Sequence, residues 1–257
     1  MRFYSFKYAI VLLISLLVNS IWADSLALFQ KPVTLSLAAS WSANKTIDNW
    51  NSDAERVDFR LLNLLRASFG RERHYRYQTT DEMYIAGLYD VHVFKDTRLN
   101  IEYANVPKAS FLNRNYEQVS VLHVRNHKVI SFAYKRSDYK ISTNQQFNLN
   151  LEYYTKSPLF FNSGLTYVFS DKNISGFSYL FGANADISPL MLFSVFSLGE
   201  ELNNESNPPS RIYYREVSVR SKYMFNDKIN CSYGLSLYQN NLNHQRLNND
   251  IMLGFIF

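Results

Sequence analysis

Apolar and polar residues alternate with a period of two along almost every stretch of this chain that is not a turn. Val33, Leu35, Leu37, Ala39 and Trp41 interleave with Thr34, Ser36, Ala38 and Ser40. Phe147, Leu149, Leu151 and Tyr153 interleave with Gln146, Asn148, Asn150 and Glu152, and Ile229, Cys231, Tyr233, Leu235 and Leu237 with Asn230, Ser232, Gly234 and Ser236. Successive side chains of a strand point to opposite faces, so the pattern specifies strands with one apolar and one polar face. No stretch of comparable quality has a helical period. Such a chain must turn its apolar faces either into a packed core or toward lipid.

Turn signals divide the pattern. Short polar connections at Lys95 to Thr97, Asn126 to His127, Lys156 to Pro158, Ser188 to Pro189 and Asn226 to Asp227 alternate with longer polar segments near 42–52, 106–114, 139–144, 171–175, 199–211 and 239–248. Asn, with 26 copies against 8 Gly, takes many turn positions because it tolerates positive φ. The strands read 33–41, 82–93, 98–106, 115–125, 128–138, 145–155, 159–170, 176–186, 189–198, 212–225, 228–239 and 248–257, while 53–77 is one long strand or two turning near Asn63. The two-strand choice gives 14, an even number that leaves both ends of the chain on one side of a barrel; 12 is the alternative. The expected fold is all-β, an antiparallel transmembrane β-barrel with tight turns at one end and longer loops at the other.

A soluble exported β-sandwich would also alternate. Two features favour lipid. Aromatic residues make up 16% of the chain, and large ones stand on the apolar faces near strand ends, as membrane girdles require: Trp41, Tyr89, Tyr103, Tyr134, Tyr153, Tyr167, Phe169, Tyr223 and Tyr238. Many strands reach the length needed to cross a bilayer at a tilt. The mean hydropathy of −0.24 excludes a polytopic helical membrane protein, and the aromatic supply excludes a disordered chain.

Residues 1–23 read as a signal peptide, with Arg2 and Lys7 before an apolar run from Ala9 to Val18 and Ala23 at the cleavage site. An N-terminal membrane anchor is the alternative, but the run is short of the roughly 20 apolar residues a span needs. The expected mature chain, 24–257, is a single barrel domain. Removing Arg2 and Lys7 lowers the formal net charge from +5 to +3, and the remaining Lys and Arg are dispersed, so nucleic acid is not an expected partner. The single Cys231 permits no internal disulfide or thiolate zinc site, and it falls on an apolar strand face. No His pair has ligand spacing on one strand face, so no metal or cofactor is expected.

The amphipathic strands, the leader and the closing run Ile251-Met252-Leu253-Gly254-Phe255-Ile256-Phe257 resemble a Gram-negative outer-membrane barrel. In that group, the resemblance implies, a C-terminal strand ending in Phe257 is read by the barrel assembly machinery. More narrowly, the chain resembles the YaiO-type outer-membrane family in length and order of elements. Leu65-Arg66-Ala67-Ser68-Phe69-Gly70-Arg71-Glu72-Arg73-His74-Tyr75 is similar to that family's third strand, and Ser197-Leu198-Gly199-Glu200 to a strand exit before a long loop. The resemblance implies an outer-membrane location and a barrel fold, with lipid and lipopolysaccharide as surroundings.

Function is expected in the lumen. The polar faces place Asp58, Arg60, Arg66, Glu72, Glu82, Asp90, Asn100, Glu102, Glu152, Glu216, Arg220 and Lys222 inside. These residues either fill a narrow barrel with ion pairs or line a hydrophilic conduit that orients a permeating solute. Arg71, Arg73, His74 and Arg76 form the densest basic cluster, a candidate outer-rim site for lipopolysaccharide phosphates or an acidic glycan, or a solvated strand end. The expected role is a pore or accessory for passage or surface retention of a polysaccharide or other hydrophilic solute. The rival is a barrel enzyme acting on lipid or peptide, with His74 or His244 beside Asp81 or Asp250. No GxSxG motif or phosphate-binding glycine loop is present, and no catalytic residue is expected.

Overall fold

A computed structural model describes residues 33–44, 50–61, 65–76, 78–203, 210–242 and 244–256. The leader, Asn63, the side chain of Trp41 and Phe257 lie outside the described residues. The chain forms β1 (Val33–Asn44), β2 (Asn51–Leu61), β3 (Leu65–Arg76), β4 (Thr79–Phe94), β5 (Thr97–Asn105), β6 (Asn115–Arg125) and β7 (Lys128–Asp138). It continues with β8 (Thr143–Tyr154), β9 (Leu159–Ser170), β10 (Ser175–Ile187), β11 (Leu190–Asn203), β12 (Ser210–Asn226), β13 (Ile229–Asn240) and β14 (Gln245–Ile256). Each strand pairs antiparallel with its chain neighbours, and β1 closes on β14 from Thr34↔Ile256 to Asn44↔Arg246. The result is a closed 14-stranded barrel, which leaves no free sheet edge.

The short connections read from the sequence gather at one end with the start of β1 and the end of β14, here the turn end; the others, the two-residue β3–β4 link among them, define the loop end. Asn126 and Asn173 sit in turns with φ of 54° and 58°, the conformation their abundance anticipates. The expected loop at 199–211 is mostly strand. β11 runs on to Asn203 and β12 starts at Ser210, with Glu200 opposite Tyr213 and Leu202 opposite Arg211. Cross-strand packing and an Arg211–Glu200 ion pair at 3.7 Å hold these polar residues extended. The expected loop at 239–248 shrinks likewise to 241–244.

Large apolar side chains face out all around the wall. Phe181 on β10 and Val219 on β12 are 56% and 51% exposed. A water-soluble chain rarely exposes a continuous apolar belt of this extent, so hydrocarbon is its physical surrounding. This excludes the sandwich alternative, whose apolar faces would meet in a core. The principal apolar cluster, Met83, Ala104, Val106 and Tyr116, lies inside the barrel wall.

Two aromatics expected in the girdles are inward instead. Tyr89 pairs with Arg66, and Tyr238 with Glu216 and Arg246. Tyr238 follows the outward Leu237, so strict alternation turns it to the lumen. In β4 the cause is a bulge between Leu88 and Val91, where Asp90 has φ 57° and reverses which parity faces in. The same bulge corrects Glu82, which falls on the outward face with Tyr84 and Ala86 rather than in the lumen.

Candidate functional site

The inner face of β2–β7 carries a dense charged lattice. Asp58 is buried between Arg56 at 3.4 Å and Arg66 at 4.0 Å, and the Arg56 guanidinium donates to the Ser68 hydroxyl at 2.5 Å. Both arginines lie over the Tyr89 ring, at 5.0 and 5.1 Å. The Tyr89 hydroxyl donates to Glu102, which also accepts from Tyr116 at 2.6 Å, while Lys135 Nζ sits 4.0 Å from the centre of the Tyr116 ring. Gly87 makes this possible: a Cβ there would meet the Tyr89 ring at 2.5 Å, so the ring lies flat over the glycine toward Glu102. Nearer the turn end, Arg60 stands opposite Arg66, and Asp90 pairs with Arg98 at 3.5 Å while its N–H donates to Asn100.

The connection 106–114 between β5 and β6 is pinned to this wall. Asp81 on β4 is fully buried and points inward, and its carboxylate accepts the backbone N–H groups of Ser110, Phe111 and Leu112 at 2.8–2.9 Å. Val106, Ala109 and Leu112 pack on Met83, Ile85 and Tyr116 below. The segment therefore lies against the inner face of the barrel at its loop end. From it, ring contacts run across the mouth. Phe111 meets Trp50 at 5.7 Å, Trp50 meets His74 at 6.2 Å, and Arg76 and Arg246 lie over Trp50 at 4.9 and 6.0 Å. Arg246 also lies 4.9 Å over Tyr238, whose hydroxyl donates to Glu201. Tyr139, in the β7–β8 connection, has its phenol pushed above the ordinary range by burial, and the Glu201 charge adds to the shift.

The inner face from β8 to β14 has a different chemistry. Gln146, Asn148, Asn150 and Glu152 on β8 face Thr166 and Asn162 on β9. Thr166 and Gln146 both donate to Asn148 Oδ1, at 2.7 and 2.8 Å, and Asn184 donates to Asn162 Oδ1 at 2.9 Å. Ser178, Ser197, Ser218, Ser236 and Asn248 add amide and hydroxyl groups around the ring, with Val168, Leu180, Val195 and Phe193 inward among them. Charges here are fewer. Arg220 donates to Asp250 at 3.0 Å across the intervening Gly234, over which the carboxylate lies; Glu152 accepts from Tyr154 at 2.6 Å; Glu216 and Lys222 occupy inward positions on β12.

Of the expected lumen set, Asp58, Arg60, Arg66, Glu72, Asn100, Glu102, Glu152, Glu216, Arg220 and Lys222 are on the inner register, and Glu82 is not. The expected basic cluster is split between the two faces. His74 and Arg76 point inward, where His74 Nε2 lies 3.2 Å from Glu72. Arg71 and Arg73 point outward and are matched by carboxylates: Arg71 with Glu82 at 2.5 Å and Glu55 at 3.5 Å, Arg73 with Asp53 at 2.6 Å. Tyr75 donates to Asp53 and Tyr84 to Glu82. A four-residue anion site does not form, because alternation sends odd and even residues of β3 to opposite sides.

The two carboxylates expected beside His74 and His244 are engaged elsewhere, and His74 lies against Glu72 instead. Asp81 is the register partner of His74, yet both its oxygens hold the 106–114 segment, and Asp250 holds Arg220. Sequence alternation does not single out Trp50, Phe111 or Tyr116, and the sequence offers Asp81 only as a neighbour for a histidine, not as the anchor of 106–114. Asp81 and its partners are 29 to 31 residues apart, and no local spacing reports that contact. The amide row of β8 was visible as the polar half of its alternation.

No protein-family model matches the chain, and no curated protein matches it in sequence. Solved structures do match in fold. A bacterial polysaccharide outer membrane secretin superposes with TM-score 0.63 at 11% identity, covering 88% of this chain and 98% of that one. The CymD monoaromatic hydrocarbon channel gives 0.61 at 8% identity, covering 89% of each. An anion-selective porin from Comamonas acidovorans gives 0.50 at 10% identity, covering 88% and 98%.

Proposed function

We propose that this chain is a Gram-negative outer-membrane barrel of the YaiO type that conducts a hydrophilic, sugar-rich solute through a lumen narrowed by its 106–114 segment. The observation that carries the reading is the division of the inner wall. One half is locked by ion pairs and covered by an inward segment, and the other offers many amides and hydroxyls set among a few apolar side chains. Neutral amide and hydroxyl groups exchange hydrogen bonds with sugar hydroxyls at little net cost, which suits binding weak enough for passage. The lipid-facing belt, the resemblance of the closing strand to segments read by the barrel assembly machinery, and the fold shared with a polysaccharide secretin and with porins support the location and the pore role.

Liposome swelling tests it. Vesicles holding the folded, heat-modifiable barrel should admit neutral oligosaccharides, because the amide and hydroxyl groups of Asn148, Thr166 and Asn162 face the lumen. Swelling no faster than in protein-free vesicles would refute the pore reading.

A further inference from the structure

The outward ion-pair network on β2–β4 reaches deeper into the middle of the wall than the other outward charges near the loop end, Glu117, Arg136 and Asp138 on β6–β7 and Arg215 on β12. Arg71 is the seventh of the twelve residues of β3, counted from the turn end. The seventh residues of β7, β9 and β11, which start at the same end, are Tyr134, Leu165 and Phe196; at the ninth, where β3 has Arg73, β9 and β11 have Tyr167 and Leu198 but β7 has Arg136. Arg71, Arg73, Asp53, Glu55 and Glu82 retain between 37% and 57% side-chain exposure. A partly exposed charged row at this height is poorly matched to acyl chains. It suits a protein surface that adds polar contacts to those within the network, where Arg71 Nε has no hydrogen-bond partner among the described residues.

We infer that this face, centred on β2 and β3, is the contact between two copies of the chain in the membrane. Two copies inserted in the same direction are related by an axis along the membrane normal, which preserves height. Register places Glu55 opposite Arg71 and Asp53 opposite Arg73, so β2 carries an acidic column and β3 a basic column at nearly equal heights. A two-fold axis between the columns sets Arg71 against Glu55 of the partner subunit and Arg73 against Asp53 of the partner subunit. The surface is thus self-complementary in both charge and height. Nearer the turn end, Phe69 is 58% exposed beside Ala67 and Ala86, an uneven apolar surface that a facing copy fills. With three carboxylates against two arginines, the network does not favour an anionic lipid headgroup as the occupant. The inference does not depend on the conduit reading.

The test uses two charge variants of the full chain, D53R/E55R and R71E/R73E, each checked for folding by heat-modifiable migration. Native mass spectrometry from detergent should show a dimer for the unaltered chain, at least a tenfold loss of dimer for each variant alone, and a restored heterodimer when the two are mixed. A monomeric unaltered chain, variants that still dimerise alone, or folded variants that do not associate on mixing would overturn it, as would lipopolysaccharide bound in place of a second copy. Should either variant fail to fold, single cysteines introduced into the Cys231→Ser chain in membranes decide. Ala67→Cys on β3 should cross-link to itself and Ala183→Cys on β10 should not; equal or absent cross-linking at both sites overturns the inference.

Discussion

The β2–β7 half and the β8–β14 half of the barrel are built by the same alternation yet differ on their inner faces. In the first, arginines, carboxylates and tyrosines interlock within hydrogen-bond or ring-stacking distance, and the 106–114 segment is latched to Asp81. In the second, Asn, Gln, Ser and Thr predominate, and the Arg220–Asp250 pair is partly exposed. Interlocked charged and ring contacts rigidify a wall, whereas neutral amides that can exchange partners leave a surface available to solutes. On the proposed reading, one half fixes the shape of the lumen and the other meets the solute.

Substitutions should therefore cost stability in the first half and solute interaction in the second. The largest effect is expected from Asp81→Ala, which strands three backbone N–H groups; a loss of about 3–5 kcal/mol in detergent-based unfolding should accompany faster proteolysis within 106–114. Tyr116→Phe removes one donor to the Glu102 carboxylate and should cost about 1–2 kcal/mol in the same assay. Asn148→Leu should alter stability by less than about 1 kcal/mol, yet lower neutral oligosaccharide flux severalfold in swelling assays. Arg220→Gln should be smallest, within about 0.5 kcal/mol because the pair is half exposed, with a measurable shift in ion selectivity as its main readout. A large stability loss from Asn148→Leu and none from Tyr116→Phe would reverse the assignment of the two halves.

Much of this architecture is written in the period of two. The strand number, the turn positions and the amide row of β8 follow from alternation and turn chemistry, both of which are local. What alternation does not carry is anything that breaks or bridges it. The bulge at Asp90 reversed the face of Glu82, and strand-end position mistook Tyr89 and Tyr238 for girdle residues. Polar composition at 199–211 read as loop, although paired neighbours keep most of that segment in strands. The candidate site was half legible. Its lining charges could be named from their strand faces, but the Asp81 latch and the Trp50–Arg246–Tyr238 bridge join residues far apart in the chain, and barrel closure alone brings them together.

Single-channel conductance in planar bilayers, compared between the unaltered barrel and Asp81→Ala with a neutral oligosaccharide added, tests the central claim most directly. A small steady conductance that grows when the latch is removed, and that the sugar interrupts in both proteins, is the expected result. A folded barrel that conducts in neither form would contradict it.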